Sequence, residues 1–163
     1  MVGASMAASL ADTDLDVLLV DASKYSPEPL STDYDIRVSA ITIASQRFFQ
    51  SLGVWDEILA SRVAAFRQMH VWEKHSGASI HFDGAEIGEE LLGYIIENRV
   101  IQHALLDKIN HADNIQFVDN TSIASFHSRP ANRLELVFDD GQACNSSLLI
   151  GADGSRSKVR SLA

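Results

Sequence analysis

The polar residues of this chain that are spaced for chemistry gather at two turns suited to holding a phosphate or a hydroxyl. The stretch SSLLIGADGSRSKVR, Ser146 to Arg160, sets an apolar run before Gly151, Ala152, Asp153 and Gly154 and follows it with what reads as a helix start. A buried strand ending this way brings backbone and a carboxylate to the carboxyl edge of a sheet, where open α/β sheets bind ligands. The glycines permit close approach, Asp153 accepts hydrogen bonds from hydroxyls or amides, and the N–H groups of the helix beyond suit a phosphate. A plainer use is also open: Asp153 or Ser155 simply caps that helix. Near the other end, Gly3 stands at the start of a small-residue helix, and LDVLLVD, Leu15 to Asp21, closes an apolar run with an acid. Glycine, helix, strand and acid is the order in which a dinucleotide fold holds a pyrophosphate and a ribose. An acid after a strand can equally be a solvated strand end, and MVG alone is no motif.

Other candidate groups carry less. His70 and His75 flank VWEK, and strand alternation sends them to opposite faces, which disfavours a metal pair. His81, His103, His111 and His127 have no partner fixed by spacing. Cys144 follows a hairpin and reads as a packed thiol rather than a nucleophile. No Ser/His/Asp order and no HExxH helix is present, so the chain offers no evident catalytic acid, base or nucleophile.

The elements that must position the two turns are legible as patterns. MVGASMAASLA reads as a helix able to pack closely on a neighbour, and LDVLLVD as a strand buried on both faces of a parallel sheet. ASKYSPEPLSTDYD, with Pro27 and Pro29, is a loop, and TIASQRFFQSLGVW is a helix stopped by Gly53. FRQMHVWEKH and ASIHFD alternate like strands joined across Ser76 and Gly77. NRVIQHALLDKINHA puts Val100, Ile101, Ala104, Leu105 and Ile109 on one helical stripe. NIQFVD, SIASFHS, RLELVFDDGQ and SSLLIGADG follow as strands, with Asp140 and Gly141 as a hairpin turn. The fold class is α/β, with an antiparallel meander inserted late.

Composition limits what such a fold can do. The chain has 163 residues, 46% hydrophobic and 21% charged, which suits one globular core. A formal net charge of −9 argues against nucleic acid or an anionic membrane surface as the main partner, because both require a basic face. A single cysteine makes no internal disulfide and fits a reducing cytoplasm. No apolar run reaches the roughly 18 residues of a membrane span, and the N-terminus lacks a signal-peptide pattern.

Taken together, MVGASMAASL, DIRVSAITIASQRFFQSLGVWDEILASR, MHVWEKHSGASIHFD, LLGYIIENRVIQHALLDKI and LLIGADGSRSKVR resemble the FAD-dependent aromatic monooxygenases of ubiquinone biosynthesis, most closely the 2-polyprenylphenol hydroxylase branch. The resemblance implies a Rossmann-like FAD-binding domain of the p-hydroxybenzoate hydroxylase type, carrying an antiparallel β-meander as an insertion. It also implies FAD as cofactor, NAD(P)H as reductant, and oxygen used to hydroxylate the ring of a polyprenylated phenol. In such enzymes the cofactor carries the chemistry while the protein orients it and excludes water, which agrees with the missing catalytic side chains.

By the same resemblance, Gly3 is the last glycine of the pyrophosphate turn. Asp21 stands where the family commonly has Glu and binds the adenosine ribose. Arg37 reaches the pyrophosphate and ribityl region, the alternative being a surface arginine. Asn98 and Gln102, four apart on one helix, are the flavin-contacting polar pair, the alternative for Asn98 being an N-cap. Ile123 lies where the backbone passes the adenine, and Asp153 is the aspartate of the DG motif near flavin and nicotinamide. The resemblance further implies that residues 1–163 are a partial FAD-binding domain, without the first strand and its glycines and without the C-terminal substrate half. A peripheral association with the inner membrane, or with a ubiquinone-biosynthesis complex, would then run through the missing parts. The competing reading is a non-catalytic α/β nucleotide-binding or interaction fragment, and flavin absorbance discriminates the two.

Overall fold

The computed structural model describes residues 1–25 and 33–163. In chain order these form α1 (Val2–Ala8), β1 (Val17–Val20), β2 (Val38–Thr42), α2 (Ile43–Ser51), α3 (Trp55–Leu59), β3 (Val63–Phe66), β4 (Gln68–Trp72) and β5 (Ser79–Asp83). A short 3-10 turn (Gly84–Ile87), β6 (Gly93–Glu97), α4 (Asn98–Asn110), β7 (Ile115–Val118), β8 (Ile123–Arg129), β9 (Arg133–Phe138), β10 (Ala143–Ser146) and α5 (Lys158–Leu162) complete the order. The chain divides into two compact units, Met1–Pro27 with Leu106–Ala163, and Glu28–Leu105. The centre of the loop holding Pro27 and Pro29 lies outside the described residues.

In the first unit β1 pairs in parallel with β7, Val17 opposite Ile115 and Val20 opposite Val118. The Asn114 side-chain amide fixes the approach to β1, donating to the carbonyls of Leu10 and Leu15 at 2.8 Å each. Beyond the strands, the Asp119 carboxylate accepts the Tyr25 N–H at 2.7 Å. Strands β8, β9 and β10 form a separate antiparallel sheet with β9 at its centre. Asp140 and Gly141 make the β9–β10 turn, with Gly141 at φ 84°, a left-handed conformation that glycine adopts without a Cβ penalty.

Two expectations for this unit need correction. β1 is half-buried rather than buried on both faces, because β7 is its one ladder partner among the described residues and Leu18 stays 40% exposed. The SSLLIGADG run is not a strand: β10 is the more polar ACNS just before it. There Ser146 Oγ accepts the Leu148 N–H at 3.2 Å and donates to the Leu148 carbonyl at 2.6 Å. That local turn spends the backbone groups a ladder would use, and Leu148 and Ile150 remain exposed.

In the second unit β6 is the central strand, antiparallel to β2 on one side and β3 on the other. Thr42 ends β2 and caps α2, its Oγ1 accepting the Ser45 N–H at 3.3 Å. Gly53, at φ 73°, ends that helical segment, and Trp55 then packs edge-on against Tyr94 of β6 at 5.1 Å between ring centroids. β4 and β5 form a two-stranded ribbon in which His70 faces His81. His75 lies outside β4, in the connecting turn, where the Glu73 carboxylate accepts the amides of His75 and Ser76. The opposite-face expectation for His70 and His75 therefore does not apply, since that turn breaks the strand alternation on which it rested.

α4 carries the stripe expected of it: Val100, Ile101, Ala104, Leu105 and Ile109 are all buried, with Leu106. No helix among the described residues is long and apolar enough to cross a membrane.

Gly93 is fixed by close approach. A Cβ there would lie 2.1 Å from the Ile41 carbonyl oxygen of β2 and 3.0 Å from its carbon, and both are backbone atoms with little freedom to move. Gly93→Ala is expected to destabilise by roughly 3 kcal/mol. Denaturant titration followed by the fluorescence of buried Trp55 measures this.

Candidate functional site

The second unit gathers the residues around one corner. β6 passes into α4 with no intervening loop, so Glu97 ends the strand and Asn98 begins the helix. The Asn98 N–H donates to the Arg37 carbonyl at 2.9 Å, and Asn98 Oδ1 accepts the Ser39 hydroxyl at 2.6 Å. Arg37 and Asn98, 61 positions apart in sequence, are thus joined through the backbone. The Arg37 side chain is exposed, and among the described residues nothing pairs with its guanidinium. Gln102 lies one turn along α4 from Asn98, and both are partly buried.

Beneath this corner sits Glu97, 3% exposed and the one buried charged residue among those described. Its Oε2 accepts the Asp35 N–H at 2.8 Å and the Arg99 Nε–H at 2.8 Å, while Arg62 Nε lies 3.0 Å from Oε1. Burial pushes its carboxyl upward, but the Asp35 amide, the Arg99 hydrogen bond and the two guanidinium charges outweigh that and hold it below the ordinary 4.5. Sequence reasoning missed Glu97. Its signal was an acid closing the apolar run GYII two residues before an arginine.

In the first unit Gly3 lies against the Gly151–Gly154 turn. A Cβ on it would meet Ala152 Cβ at 3.4 Å and Leu19 Cδ1 at 3.5 Å, so helix start, strand and turn approach closely. Asp21 follows β1, where its Oδ1 accepts the Ser23 N–H at 2.8 Å and its carbonyl accepts the Thr121 N–H at 3.1 Å. One carboxylate oxygen is therefore committed to a local turn, and the other has no hydrogen-bond partner among the described residues. Ile123 opens β8, partly exposed.

Asp153 is occupied by the helix it precedes. Its carboxylate accepts the N–H groups of Lys158 at 2.6 Å and Val159 at 3.1 Å, together with the Ser157 hydroxyl. Ser157, not Ser155, is the N-cap residue. The Ser157 hydroxyl, ahead of the backbone amides, holds the Asp153 carboxyl below the ordinary 3.8.

The remaining polar groups form local pairs. His103 Nδ1 lies 3.2 Å from Glu57, His111 meets the Asp107 carbonyl at 2.7 Å, and the His70 and His81 rings are 6.0 Å apart. Burial raises the Cys144 thiol, as for a packed cysteine.

Taken by itself, the second unit has groups that suit part of a dinucleotide cofactor, a guanidinium with no partner among the described residues for a diphosphate and two amide side chains on one helix for a polar ring edge. The first unit, by itself, has a carboxylate oxygen that suits a ribose. The fold is the α/β fold of FAD-dependent monooxygenases. The chain superimposes on PqsL of Pseudomonas aeruginosa, described as a probable FAD-dependent monooxygenase, with a TM-score of 0.72 and 19% identity, covering 98% of this chain and 42% of that one. In sequence it is 34% identical over 163 residues, all of this chain, to the 3-demethoxyubiquinol 3-hydroxylase of Escherichia coli (strain K12). It is 35% identical over 176 residues to the mitochondrial ubiquinone biosynthesis monooxygenase COQ6 of Rattus norvegicus. The chain spans 41% of the first relative's length and 37% of the second's. No family model matches.

Because the folded Asp153 carboxyl is held below its ordinary value, its contribution is complete above pH 3.8 and is lost as the pH falls through the lower folded value. The protection factors of the Lys158 and Val159 amides are expected to drop across that acid window. Asp153→Asn should lower them already at neutral pH, by an amount equivalent to about 1 kcal/mol. Amide hydrogen exchange read by NMR checks both.

Proposed function

We propose that this chain is the FAD-binding part of an oxidoreductase, a flavin-dependent monooxygenase that hydroxylates the aromatic ring of a polyprenylated phenol in ubiquinone biosynthesis with NAD(P)H and oxygen. The observation that carries the reading is the alignment of all 163 residues, at 34% identity, with a protein named 3-demethoxyubiquinol 3-hydroxylase. The monooxygenase fold supports it independently. The reading assigns no ring position: product analysis separates hydroxylation of a 2-polyprenylphenol, the branch the resemblance favours, from that of 3-demethoxyubiquinol, the compound in the bacterial relative's name. A polyprenyl tail partitions into lipid, so peripheral contact with the inner membrane, through polypeptide outside these residues, goes with the proposal.

The domain reading is a partial Rossmann-like one, in which a further parallel strand lies between β1 and the 147–150 run. Two features support it: among the described residues β1 has a ladder on one edge alone and the apolar LLI run has none. When bound, the flavin supplies the electron transfer and the oxygen chemistry. The chain's own residues bind and orient it. In the first unit Gly3 lets the α1 start approach a diphosphate, and the Asp21 oxygen without a partner among the described residues accepts from ribose hydroxyls; in the second unit Arg37 carries the charge that suits the pyrophosphate and ribityl region. Asn98 and Gln102 meet the polar edge of the ring system, and Ile123 borders the adenine. Asp153 holds the α5 end of its turn in place, with the turn's backbone near the flavin and nicotinamide.

The full-length protein, purified under native conditions, is expected to carry flavin absorbance and to consume NAD(P)H and oxygen in the presence of a polyprenylated phenol. Asp21→Ala is expected to weaken FAD binding by about 1–3 kcal/mol, roughly tenfold to a hundredfold, because ribose donors lose their acceptor. A protein that binds no flavin sinks the reading. Unchanged FAD affinity in Asp21→Ala reduces Asp21 to a solvated strand end.

A further inference from the structure

The segment 33–37 carries Arg37, yet almost no apolar burial holds it. Tyr34 is 78% exposed and Ile36 96% exposed. Polar contacts converge on it instead, from the corner where β6 meets α4. Glu97 Oε2 accepts the Asp35 N–H at 2.8 Å. Arg62 and Arg99, both ion-paired to Glu97, each donate to the Asp33 carbonyl, and Arg62 lies 4.7 Å from the centre of the Tyr34 ring. Asp35 Oδ1 in turn accepts the Arg37 N–H at 2.9 Å, and the Arg37 carbonyl accepts the Asn98 N–H. Glu97 is one peptide bond from Asn98, and its carboxylate is two hydrogen bonds from Arg37.

We propose that Glu97, with Arg62 and Arg99, is the positioning residue of the candidate flavin site, clamping segment 33–37 to the strand–helix corner so that Arg37 and Asn98 are presented as one unit. The proposal rests on the FAD-binding reading above. Its physical basis is that a buried carboxylate shared by two guanidinium groups and a backbone amide leaves few alternative geometries, whereas an exposed segment without such a clamp samples many. Glu97 touches no ligand and acts through the backbone of 35–37 and 98.

The test uses the full-length protein and two variants of the clamp, Glu97→Gln and Arg99→Gln, the second keeping the experiment decisive should the first fail to fold. Ile58→Val, at a fully buried apolar position of α3, serves as a control for general loss of stability. Two quantities are measured: amide exchange at residues 35, 37 and 98, and FAD affinity by quenching of flavin fluorescence. The clamp variants are expected to exchange faster at those three amides, with β1 and β7 amides unchanged, and to bind FAD roughly tenfold more weakly, the effect of one lost charge-assisted hydrogen bond. The control is expected to lower the melting temperature without changing FAD affinity. Clamp variants that bind FAD like the parent overturn the positioning role while leaving the FAD reading intact. So does exchange that rises uniformly across the fold. A parent protein that binds no FAD overturns the FAD reading, and the positioning role with it.

Discussion

A strand that turns into a helix without a loop leaves a single residue to hold the corner, and here that residue is a buried acid. Glu97 ends β6 at 3% exposure, where an isolated carboxylate would pay a large desolvation penalty. Its charge persists because Arg62, Arg99 and the Asp35 amide converge on it. Much of the second unit is organised by that requirement. β6 must be central, since it pairs β2 and β3 on its two sides while delivering Glu97 to one end. Gly93 must lack a side chain at the other end, where β2 comes within 2.1 Å of where a Cβ would stand. Between these fixed points, Tyr94 takes the edge of Trp55 and Ile96 is fully buried. The network is worth more as a constraint on geometry than as net stability, because buried ion pairs return little beyond their desolvation cost.

In the first unit acids do a different job. Asp21, Asp119, Asp139 and Asp153 each sit at the end of a strand or turn and accept backbone N–H groups nearby. A chain with a formal charge of −9 thus spends much of its acidity on satisfying local backbone donors rather than on building a catalytic centre. The consequence for ligand binding is specific. Asp153 has both oxygens engaged, so a ligand at the Gly151–Gly154 turn would meet backbone. Asp21 has one engaged and one without a partner among the described residues, so it can accept from a ligand hydroxyl without losing a protein contact.

Elements with their own periodicity were legible in the sequence. The α4 stripe, the ribbon β4–β5 and the Asp140–Gly141 turn all follow from local spacing and turn chemistry, the ribbon being the longest of them, from Gln68 to Asp83. β2, β3 and β6 were not, because VSAIT, VAAF and GYIIE are four or five residues long and owe their extended form to each other. SSLLIGADG shows the converse. Its apolar run has the composition of a buried strand, yet a ladder needs a neighbour, and Ser146 closes the local backbone groups before one is found. The neighbouring ACNS pairs because the hairpin turn places it beside β9, whatever its composition.

The candidate site divides along the same line. Asp153 as a helix cap could be read from its distance to the helix start, because capping is a local event. The union of Arg37 with Asn98 could not, because 61 residues separate them and the bond joining them is backbone to backbone, which leaves no mark on side-chain type. Glu97 left a faint mark. An acid placed where alternation calls for an apolar residue must find positive partners, and Arg99 was two positions away. Arg62, 35 residues upstream, could be identified as the second partner only once β3 and β6 were known to be adjacent. Residues that act through the backbone of others are for that reason the last part of a site to become visible, although the contacting residues depend on them for their geometry.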